Sequence, residues 1–417
     1  MSTTLNLSEN LPARELALRW QRCRALMDKL APEAGGLMVF SPLNIFYFTG
    51  IMNSGLFWLP KEGDPVLALR KGADRAALEA PALHTVSYRS YSQVPQLMAE
   101  AGCPLSPAFL VEDGGLTWTQ GQAFAKSFRD YKIMPGDALI ARQRSVKTPF
   151  ELEIMRETGK RHYQVACVEL PKRIRPGMSE DQIGRELVKL YLDYGHHLLA
   201  RVNSPALIPF IGTLAAGENG CLPTYSNGIL GFKGLHPASP YLGDPGTVWQ
   251  PESVLIIDCA FVFEGYLTDK SQLYFSGKPE KMPEQARRAQ ACAIAIETEM
   301  AARLKPGAIP EEIWKASQGM AAEAGFAENF MGLGAHQQPF LGHGVGMCMD
   351  ETPVLANRFT DPLEEGMVMA LEPKFALPGI GMVGVENNFI VTARGGESIT
   401  TKTGDLKDDN GDCIFIP

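Results

Sequence analysis

The sequence has few histidines, no closely paired cysteines and no long apolar run. Its 417 residues include 7 histidines and 8 cysteines, and no two cysteines are spaced C-x-x-C, which argues against a zinc ribbon or a thiol redox pair. No stretch approaches the roughly 18 apolar residues of a membrane span. Residues 1–10, MSTTLNLSEN, lack the basic and apolar regions of a signal peptide. We therefore expect a cytoplasmic protein with free thiols and no membrane partner.

Positive charge is also scarce. The chain has 39 Lys and Arg against 47 Asp and Glu, a formal net charge of -8, which disfavours a nucleic-acid partner. With 45% hydrophobic and 21% charged residues, the composition is that of an ordinary globular protein. The length exceeds a typical domain of roughly 100 to 200 residues. These features favour a protein of more than one domain that acts on a small peptide or small molecule.

The first part of the chain alternates helix-like and strand-like segments. Apolar residues at helical spacing indicate an amphipathic opening helix: Leu16, Trp20, Cys23, Met27 and Leu30. Two short strands are predicted at GGLMVF, residues 35–40, and NIFYFTG, residues 44–50.

A second helix start marks the domain boundary. Thr148 precedes Pro149 and Glu151 in the pattern of an N-cap, a first-turn proline and a capping box. We therefore assign one domain to residues 1–143 and a second to residues 144–417.

Two aspartates lie eleven residues apart in a strand-forming stretch, residues 254–277. Turn residues in its middle predict a β-hairpin. If the loop is centred on Phe263 and Glu264, Asp258 pairs directly with Asp269, with Cβ atoms about 5 Å apart. Because like charges repel, either a cation lies between the two carboxylates or one of them faces elsewhere.

Residues 175–195 and 305–325 form an internal repeat. In each, Pro-Gly is followed by an isoleucine six residues after the glycine and by a terminal glycine eighteen residues after it. Each segment predicts a helix that ends at a glycine suited to the left-handed conformation. His196 and His197, next to the first of these helix ends, are expected to interact with the helix dipole.

A second hairpin follows the second repeat. Counting outward from Gly379 pairs Glu372 with Glu386. Each half of this region therefore has the order helix, Pro-Gly, helix and hairpin, which predicts a duplicated α+β unit whose four carboxylates converge. Two divalent ions would neutralise their charge of about -4. His343, flanked by glycines, supplies a nitrogen ligand, and this donor set suits manganese first, with iron, cobalt or zinc as alternatives.

These residues resemble the pita-bread metallopeptidases, which comprise methionine aminopeptidases, proline dipeptidases, Xaa-Pro aminopeptidases and creatinase. Residues 19–50 resemble the amino-terminal domain of the proline-specific and creatinase branches, and residues 144–159 resemble the entry to their catalytic domain. The resemblance implies an α+β fold in which a creatinase-like α/β domain precedes a pseudo-symmetric, duplicated pita-bread catalytic domain. It implies five ligands to two divalent metal ions: Asp258, Asp269, His343, Glu372 and Glu386. Glu372 is also implied as a catalytic proton acceptor.

The chain departs from the family pattern at three positions. Thr224 and Asp350 stand where the peptidases place histidines, and Gly384 stands where they place an arginine. By position, Thr224, Tyr225 and Asp350 are expected to bind substrate. We expect Asp350 to hold a substrate cation or to act as a catalytic base. Because a buried carboxylate without a partner is costly, Asp350 should either pair with the substrate's ammonium or have a raised pKa.

We therefore expect a homodimeric, dinuclear metal hydrolase that resembles Xaa-Pro peptidases. One alternative is a different enzyme on the same scaffold, such as a lyase like dimethylsulfoniopropionate lyase or a creatinase-like C–N hydrolase. Another alternative is a binding protein without catalysis. Tyr47, Phe57 and Trp58 are either pocket-closing aromatics near the partner's active site or core residues.

Overall fold

The chain divides after Arg144 into two units, Met1–Arg144 and Ser145–Pro417. A computed structural model describes residues 11–80, 83–203, 211–224, 228–402 and 413–417. Within these ranges, no helix combines the length and the apolar character needed to cross a membrane.

In the described part of the first unit, six strands form one mixed sheet. The strands are β1 (Gly36–Val39), β2 (Gly55–Pro60), β3 (Val66–Leu69), β4 (His84–Ser87), β5 (Ala108–Val111) and β6 (Lys132–Pro135). The helices are α1 (Ala13–Leu30), α2 (Pro42–Thr49), α3 (Ala73–Glu79), α4 (Val94–Glu100), α5 (Trp118–Ser127) and α6 (Asp137–Ser145). The sheet order is β4-β3-β2-β1-β5-β6, with β2 antiparallel to both of its neighbours and the other pairs parallel.

The strand predicted at residues 44–50 is wrong, because this segment is the helix α2. The Ser41 side chain accepts a hydrogen bond from the Asn44 N–H, Pro42 begins the helix, and Gly50 ends it with φ of 76°. These start and stop signals outweigh the strand preference of the aromatic residues between them.

The three aromatic residues considered for pocket closure belong to the core of the first unit. Tyr47, Phe57 and Trp58 are each 0% exposed. The Trp58 ring packs edge-to-face on Phe109, and the Tyr47 hydroxyl accepts a hydrogen bond from Gln143. The alternative in which they close a pocket is therefore wrong.

The second unit contains four helices and eleven strands among its described residues. The helices are α7 (Pro149–Tyr163), α8 (Glu180–Asp193), α9 (Glu284–Arg303) and α10 (Pro310–Glu323). The strands are β7 (Gly212–Ala216), β8 (Val254–Phe263), β9 (Tyr266–Ser276), β10 (Phe340–Gly344), β11 (Glu351–Ala356), β12 (Val368–Leu371), β13 (Lys374–Leu377), β14 (Gly381–Gly384), β15 (Asn387–Thr392), β16 (Gly395–Ser398) and β17 (Ile414–Ile416). They form sheets of order β17-β9-β8-β7, β11-β10-β12-β15-β16 and β13-β14. A π-helical stretch, Gln164–Glu169, continues α7.

The two halves of the second unit follow one order: helix, Pro-Gly turn, helix and hairpin. α7 and α8 precede the β8–β9 hairpin, and α9 and α10 precede the β13–β14 hairpin. Gly177 and Gly307 both have φ of 91°, while Gly195 and Gly325 have φ of 84° and 83°. Because these left-handed conformations strain any residue with a Cβ, glycine is the residue that suits each turn and each helix end. The two halves therefore share the element order and the glycine conformations that the sequence spacing predicts.

One face of α9 packs into the main core of this unit. Its buried apolar residues recur every three or four positions: Ala286, Ala289, Ala293, Ile296 and Met300. The core also takes residues from both hairpins, including Val254 and Phe375. A continuous core therefore fixes the two hairpins relative to each other, and with them the carboxylates that they carry.

His196 does not interact with the helix dipole as predicted. Its Nδ1 accepts a hydrogen bond from the Val262 N–H at 2.7 Å, so the ring acts as a neutral acceptor. The pKa of His196 is lowered to about 4, chiefly by burial and also by neighbouring His197.

Candidate metal centre

The first hairpin places its two aspartates on one face, but not directly opposite each other. Asp258 pairs with Ser271, and Asp269 pairs with Ala260. The turn is centred on Glu264 and Gly265, whose φ values of 49° and 82° both lie in the left-handed region. The predicted register is therefore wrong, since the loop centre lies one residue later than expected. Both carboxylates still share a face, because positions two apart on a strand point to the same side.

The second hairpin has the predicted register. Lys374 pairs with Gly384 and Leu377 with Gly381, so the loop is centred on Gly379. Glu372 and Glu386 lie two residues beyond the end of this ladder, one on each strand's extension. Both side chains are buried.

The imidazole comes from a separate strand. His343 lies in β10, where a Cβ at the preceding Gly342 would come within 1.9 Å of the Ala370 carbonyl oxygen. The neighbouring strand therefore approaches closely only because residue 342 is glycine. The His343 Nδ1 lies 3.1 Å from the Gly344 carbonyl oxygen and 3.4 Å from the Asp350 backbone nitrogen, and from the shorter contact we assign the Nδ1–H tautomer. Nε2 is then left with its lone pair, as a metal ligand requires.

The five predicted ligands converge on one cavity of about 360 Å³, and all five line it. They form two overlapping groups in which the ligand atoms lie within 4.8 Å of one another. One group is Asp269, His343 and Glu386, and the other is Asp258, Glu372 and Glu386.

Lys374 occupies the second group, and the sequence reasoning missed it. Its Nζ lies 2.7 Å from a Glu372 oxygen, 2.8 Å from a Glu386 oxygen and 3.2 Å from an Asp258 oxygen. The lysine side chain is 0% exposed. The motif Glu-Pro-Lys holds the signal that was overlooked, because residues 372 and 374 are two apart in an extended segment and so share a face. Repulsion between the carboxylates leads us to expect a cation among them, and Lys374 supplies one.

The side chains shift one another's ionisation. The pKa of Asp258 is raised to about 6: burial is the main cause, the Lys374 ammonium opposes it, and Glu386 adds to it. Burial, with Glu386 and Asp258 nearby, holds the pKa of Asp269 well above its ordinary value. Burial also raises the pKa of Glu372, against the opposing effect of Lys374.

The two basic groups of the site shift upward. Burial acts to lower the pKa of Lys374, but Asp258, Glu372 and Glu386 outweigh it and hold the pKa well above its ordinary value. Burial likewise opposes the charging of His343, and the carboxylates of Asp350 and Glu372 overcome it, so that its pKa is raised. The carboxylates of this cluster therefore favour the positively charged forms of Lys374 and His343.

Neighbouring polar groups fix the ligands in place. The Asp269 N–H donates to the Asn388 side-chain oxygen at 2.8 Å, and the Asn388 amide donates back to the Asp269 carbonyl at 2.9 Å. The Ser271 hydroxyl donates to Glu386 at 2.9 Å. Such outer contacts orient ligands for a metal ion.

Asp350 lies beside the imidazole on the solvent side. Its Oδ1 is 3.7 Å from the His343 Nε2, its side chain is 53% exposed, and it lines the same cavity. The expectation that Asp350 is a lone buried carboxylate is therefore wrong. Its neighbour Glu351 is buried and accepts hydrogen bonds from the Met347 and Cys348 N–H groups, which shapes the loop before Asp350.

The other predicted substrate residues lie elsewhere. Thr224 lines a neighbouring cavity together with His336 and Gln338, and this cavity shares Gly228 with the first. The structure therefore does not bring Thr224 to the five ligands. Tyr225 lies outside the described residues.

The donor set fits a divalent ion at one of the two groups. Asp269, His343 and Glu386 offer two carboxylates and an imidazole, a set that manganese, iron, cobalt and zinc accept. At the other group, an ion would have to take the position of the Lys374 ammonium. With this lysine in place, the residues fit one ion and do not fit two.

Two family models match the chain, one for each of its parts. Residues 153–393 match the model of Metallopeptidase family M24, and residues 19–146 match that of the Creatinase/Prolidase N-terminal domain. An uncharacterized peptidase of Staphylococcus saprophyticus is 23% identical over 379 residues, which covers 88% of this chain and 95% of the relative. An uncharacterized peptidase of Staphylococcus epidermidis is 24% identical over 383 residues, with the same coverage.

Two solved structures share the fold. The Xaa-Pro dipeptidase from Bacillus anthracis superposes with a TM-score of 0.77 at 21% identity, covering 96% of this chain and 99% of that one. The X-Pro aminopeptidase from Thermotoga maritima gives a TM-score of 0.74 at 18% identity, covering 95% and 99%. The predicted pita-bread fold with its creatinase-like first domain is confirmed.

Proposed function

Because the chain belongs to metallopeptidase family M24, a family of hydrolases, we propose that it hydrolyses a peptide or amide bond in a small substrate, with a divalent metal ion at the acidic cluster. The observation that carries this proposal is the convergence of four carboxylates and one imidazole on a cavity of about 360 Å³. Manganese suits the oxygen-rich donor set best, and iron, cobalt or zinc are alternatives.

The cavity lining indicates the substrate class. Its apolar walls are Val202, Leu230, Phe232, Phe340, Met349 and Val354. Among the described lining residues there is no lysine or arginine, and the imidazole of His343 is assigned to the metal ion, so no basic side chain there is left to pair with a free substrate carboxylate. We therefore propose a substrate with an apolar body and a neutral or cationic end, rather than an ordinary Xaa-Pro dipeptide with its terminal carboxylate.

Asp350 is the residue suited to that cationic end. Its carboxylate is half-exposed on the cavity lining, 3.7 Å from the His343 Nε2. A substrate ammonium placed there gains an ion pair without the desolvation cost of a fully buried charge.

Glu372 is the residue suited to holding a proton during hydrolysis. One of its oxygens accepts from Lys374, the other lies 3.5 Å from the His343 Nε2, and the residue lines the cavity. When bound, a divalent ion supplies Lewis-acid polarisation of the scissile carbonyl and makes water more acidic. Glu372 then takes up the proton that the water loses and passes it to the leaving amine.

The test is a turnover panel with Mn²⁺ added and with EDTA as control. It compares Gly-Pro and Ala-Pro with their C-terminal amides and with small amides that carry an amino group, and it follows products by mass spectrometry. We expect metal-dependent release of acid and amine from the neutral and cationic amides. For Gly-Pro we expect kcat/KM below about 10⁴ M⁻¹s⁻¹, the lower end of ordinary enzymes.

Other outcomes of the panel separate the alternatives. An unsaturated product from an elimination substrate such as dimethylsulfoniopropionate, with no amide cleaved, would favour a lyase. Efficient cleavage of Gly-Pro would overturn the proposed substrate class while keeping the hydrolase. Binding of the same compounds without turnover would favour a binding protein.

We also propose that the protein is cytoplasmic, and that it is a homodimer, as the resemblance to the proline-specific branch implies. Sedimentation at micromolar concentration tests the assembly, and a monomer would contradict it.

A further inference from the structure

We propose that the Lys374 ammonium replaces one of the two metal ions, so that the chain binds a single divalent ion, held by Asp269, His343 and Glu386. This inference concerns metal content and does not depend on which substrate is cleaved.

The ammonium fills its position completely. An ammonium group has three N–H donors, and three different carboxylates lie around the Lys374 Nζ at 2.7, 2.8 and 3.2 Å. These carboxylates, from Asp258, Glu372 and Glu386, are the same three that form the second ligand group. A metal ion at ordinary ligand distances from these oxygens would coincide with the nitrogen. Lysine and ion are therefore mutually exclusive at this group.

The backbone is adapted to this lysine. Lys374 pairs with Gly384 across the β13–β14 ladder, and Gly384 has φ of 151°. A Cβ at residue 384 would lie 2.9 Å from the Lys374 Cγ and 2.7 Å from its Cα. The glycine thus leaves the space through which the lysine stem passes. The family resemblance implies an arginine at position 384. In this chain the positive charge is instead on Lys374, in the opposite strand.

Burial and a backbone hydrogen bond hold the lysine in the cluster. Its side chain is 0% exposed, and its carbonyl accepts a hydrogen bond from the Met331 N–H at 2.8 Å, which holds the strand in place. Withdrawing the ammonium to admit an ion would bury a charge without its partners, which is strongly unfavourable. The remaining group, Asp269, His343 and Glu386, keeps the imidazole and two carboxylates for one ion.

The experiment measures metal bound per chain. The full-length protein is loaded with excess Mn²⁺, freed of unbound ion by gel filtration, and analysed by elemental mass spectrometry and electron paramagnetic resonance. The wild-type protein should bind one Mn²⁺ with the spectrum of an isolated ion. Lys374→Gly, which opens the space and removes the charge, should bind two ions with the spectrum of an exchange-coupled pair.

Two controls keep the result interpretable. Lys147→Gly removes another buried lysine, one that pairs with Glu351 outside the cluster, and it should still bind one ion. If Lys374→Gly does not fold, Asp258→Ala decides, because Asp258 contacts the lysine and is absent from the proposed ion group. That variant should keep its single ion.

Three results would overturn the inference: two coupled ions in the wild-type protein, one ion in folded Lys374→Gly, or loss of the ion in Asp258→Ala. Because metal content is read without substrate, a failure to turn over any amide leaves this result unaffected.

Discussion

Lys374 donates to Glu372 at 2.7 Å, within one Glu-Pro-Lys segment, so the site carries its own cation beside a predicted metal ligand. This pairing makes the lysine part of the stability of the fold as well as of the site. Every carboxylate that it contacts is at least 80% buried, since their side chains are 8%, 1% and 20% exposed.

Lys374→Met should therefore destabilise the metal-free protein by about 3 to 5 kcal/mol, the usual cost of leaving buried charges without a partner. Urea unfolding in EDTA measures this loss. Added Mn²⁺ should restore more stability in the variant than it adds to the wild type, because an ion can take the place of the missing ammonium.

Lys147→Met is the matched control for this effect. It also removes a buried lysine, whose Nζ lies 3.3 Å from Glu351, and it should lose stability without extra recovery from Mn²⁺. Equal recovery in both variants would show that the ion acts away from Lys374.

Asp269→Ala should lower the affinity for Mn²⁺ by at least tenfold, because it removes a ligand from the proposed ion group. The Asn388 side chain hydrogen-bonds both the N–H and the carbonyl of Asp269, so the strand should keep its position in the variant. Titration calorimetry measures the affinity. Asp244→Asn changes another buried aspartate, one that pairs with Lys233, and should leave the affinity unchanged.

Asp350→Asn should raise KM for cationic substrates about tenfold and leave KM for neutral analogues unchanged, since it removes a charge and keeps the shape. Asparagine suits this position because Asp350 has φ of 57°, a conformation that asparagine tolerates. Steady-state kinetics on paired cationic and neutral amides give the comparison. A fall in kcat for both substrates, with KM unchanged, would instead identify Asp350 as a proton acceptor. Asp361→Asn, at an exposed loop position, is the control.

His196 should make the fold sensitive to acid. Its pKa is lowered by burial to about 4 in the folded chain, against roughly 6.5 for a free histidine. The unfolded chain therefore binds more protons below pH 6.5, so the stability from this group is complete above that pH and is lost as the pH falls toward 4. The loss amounts to about 2.5 kcal/mol by pH 4.5, as an upper bound.

His196→Phe should reduce that acid-induced loss of stability, although it also removes the acceptor for the Val262 N–H and so lowers stability at pH 7. Urea unfolding between pH 7 and pH 4.5 compares the two slopes. Part of the slope should remain, because burial also lowers the pKa of His162 well below its ordinary value. His84→Phe, at an exposed strand position, should have the wild-type slope, and a His196→Phe slope equal to it would contradict the prediction.

The sequence predicts much of the fold because its signals are local. Thr148 caps α7 as expected, with Glu151 completing the capping box, and the Pro-Gly spacing marks both halves of the second unit. The segment at residues 44–50 is helical although its aromatic residues favour strands, because Ser41 and Gly50 supply the stronger helix boundaries.

The candidate site is only partly predictable for two physical reasons. The hairpin register shifted by one residue because Glu264 adopts a left-handed conformation that is uncommon for glutamate. Lys374 was overlooked because a lysine in a sequence reads as a surface residue, and only the tertiary fold shows that three buried carboxylates surround it.

The contact between Lys374 and Asp258 joins the two halves of the duplicated unit. Asp258 belongs to the first hairpin and Lys374 to the second, and their charged atoms lie 3.2 Å apart. Alone, the first half would hold an aspartate pair without this cation, whereas the second would keep Lys374 with its own Glu372 and Glu386. The ion pair therefore couples the two halves: unfolding of the second half removes the cation beside Asp258 in the first, so the two should melt in a single cooperative transition.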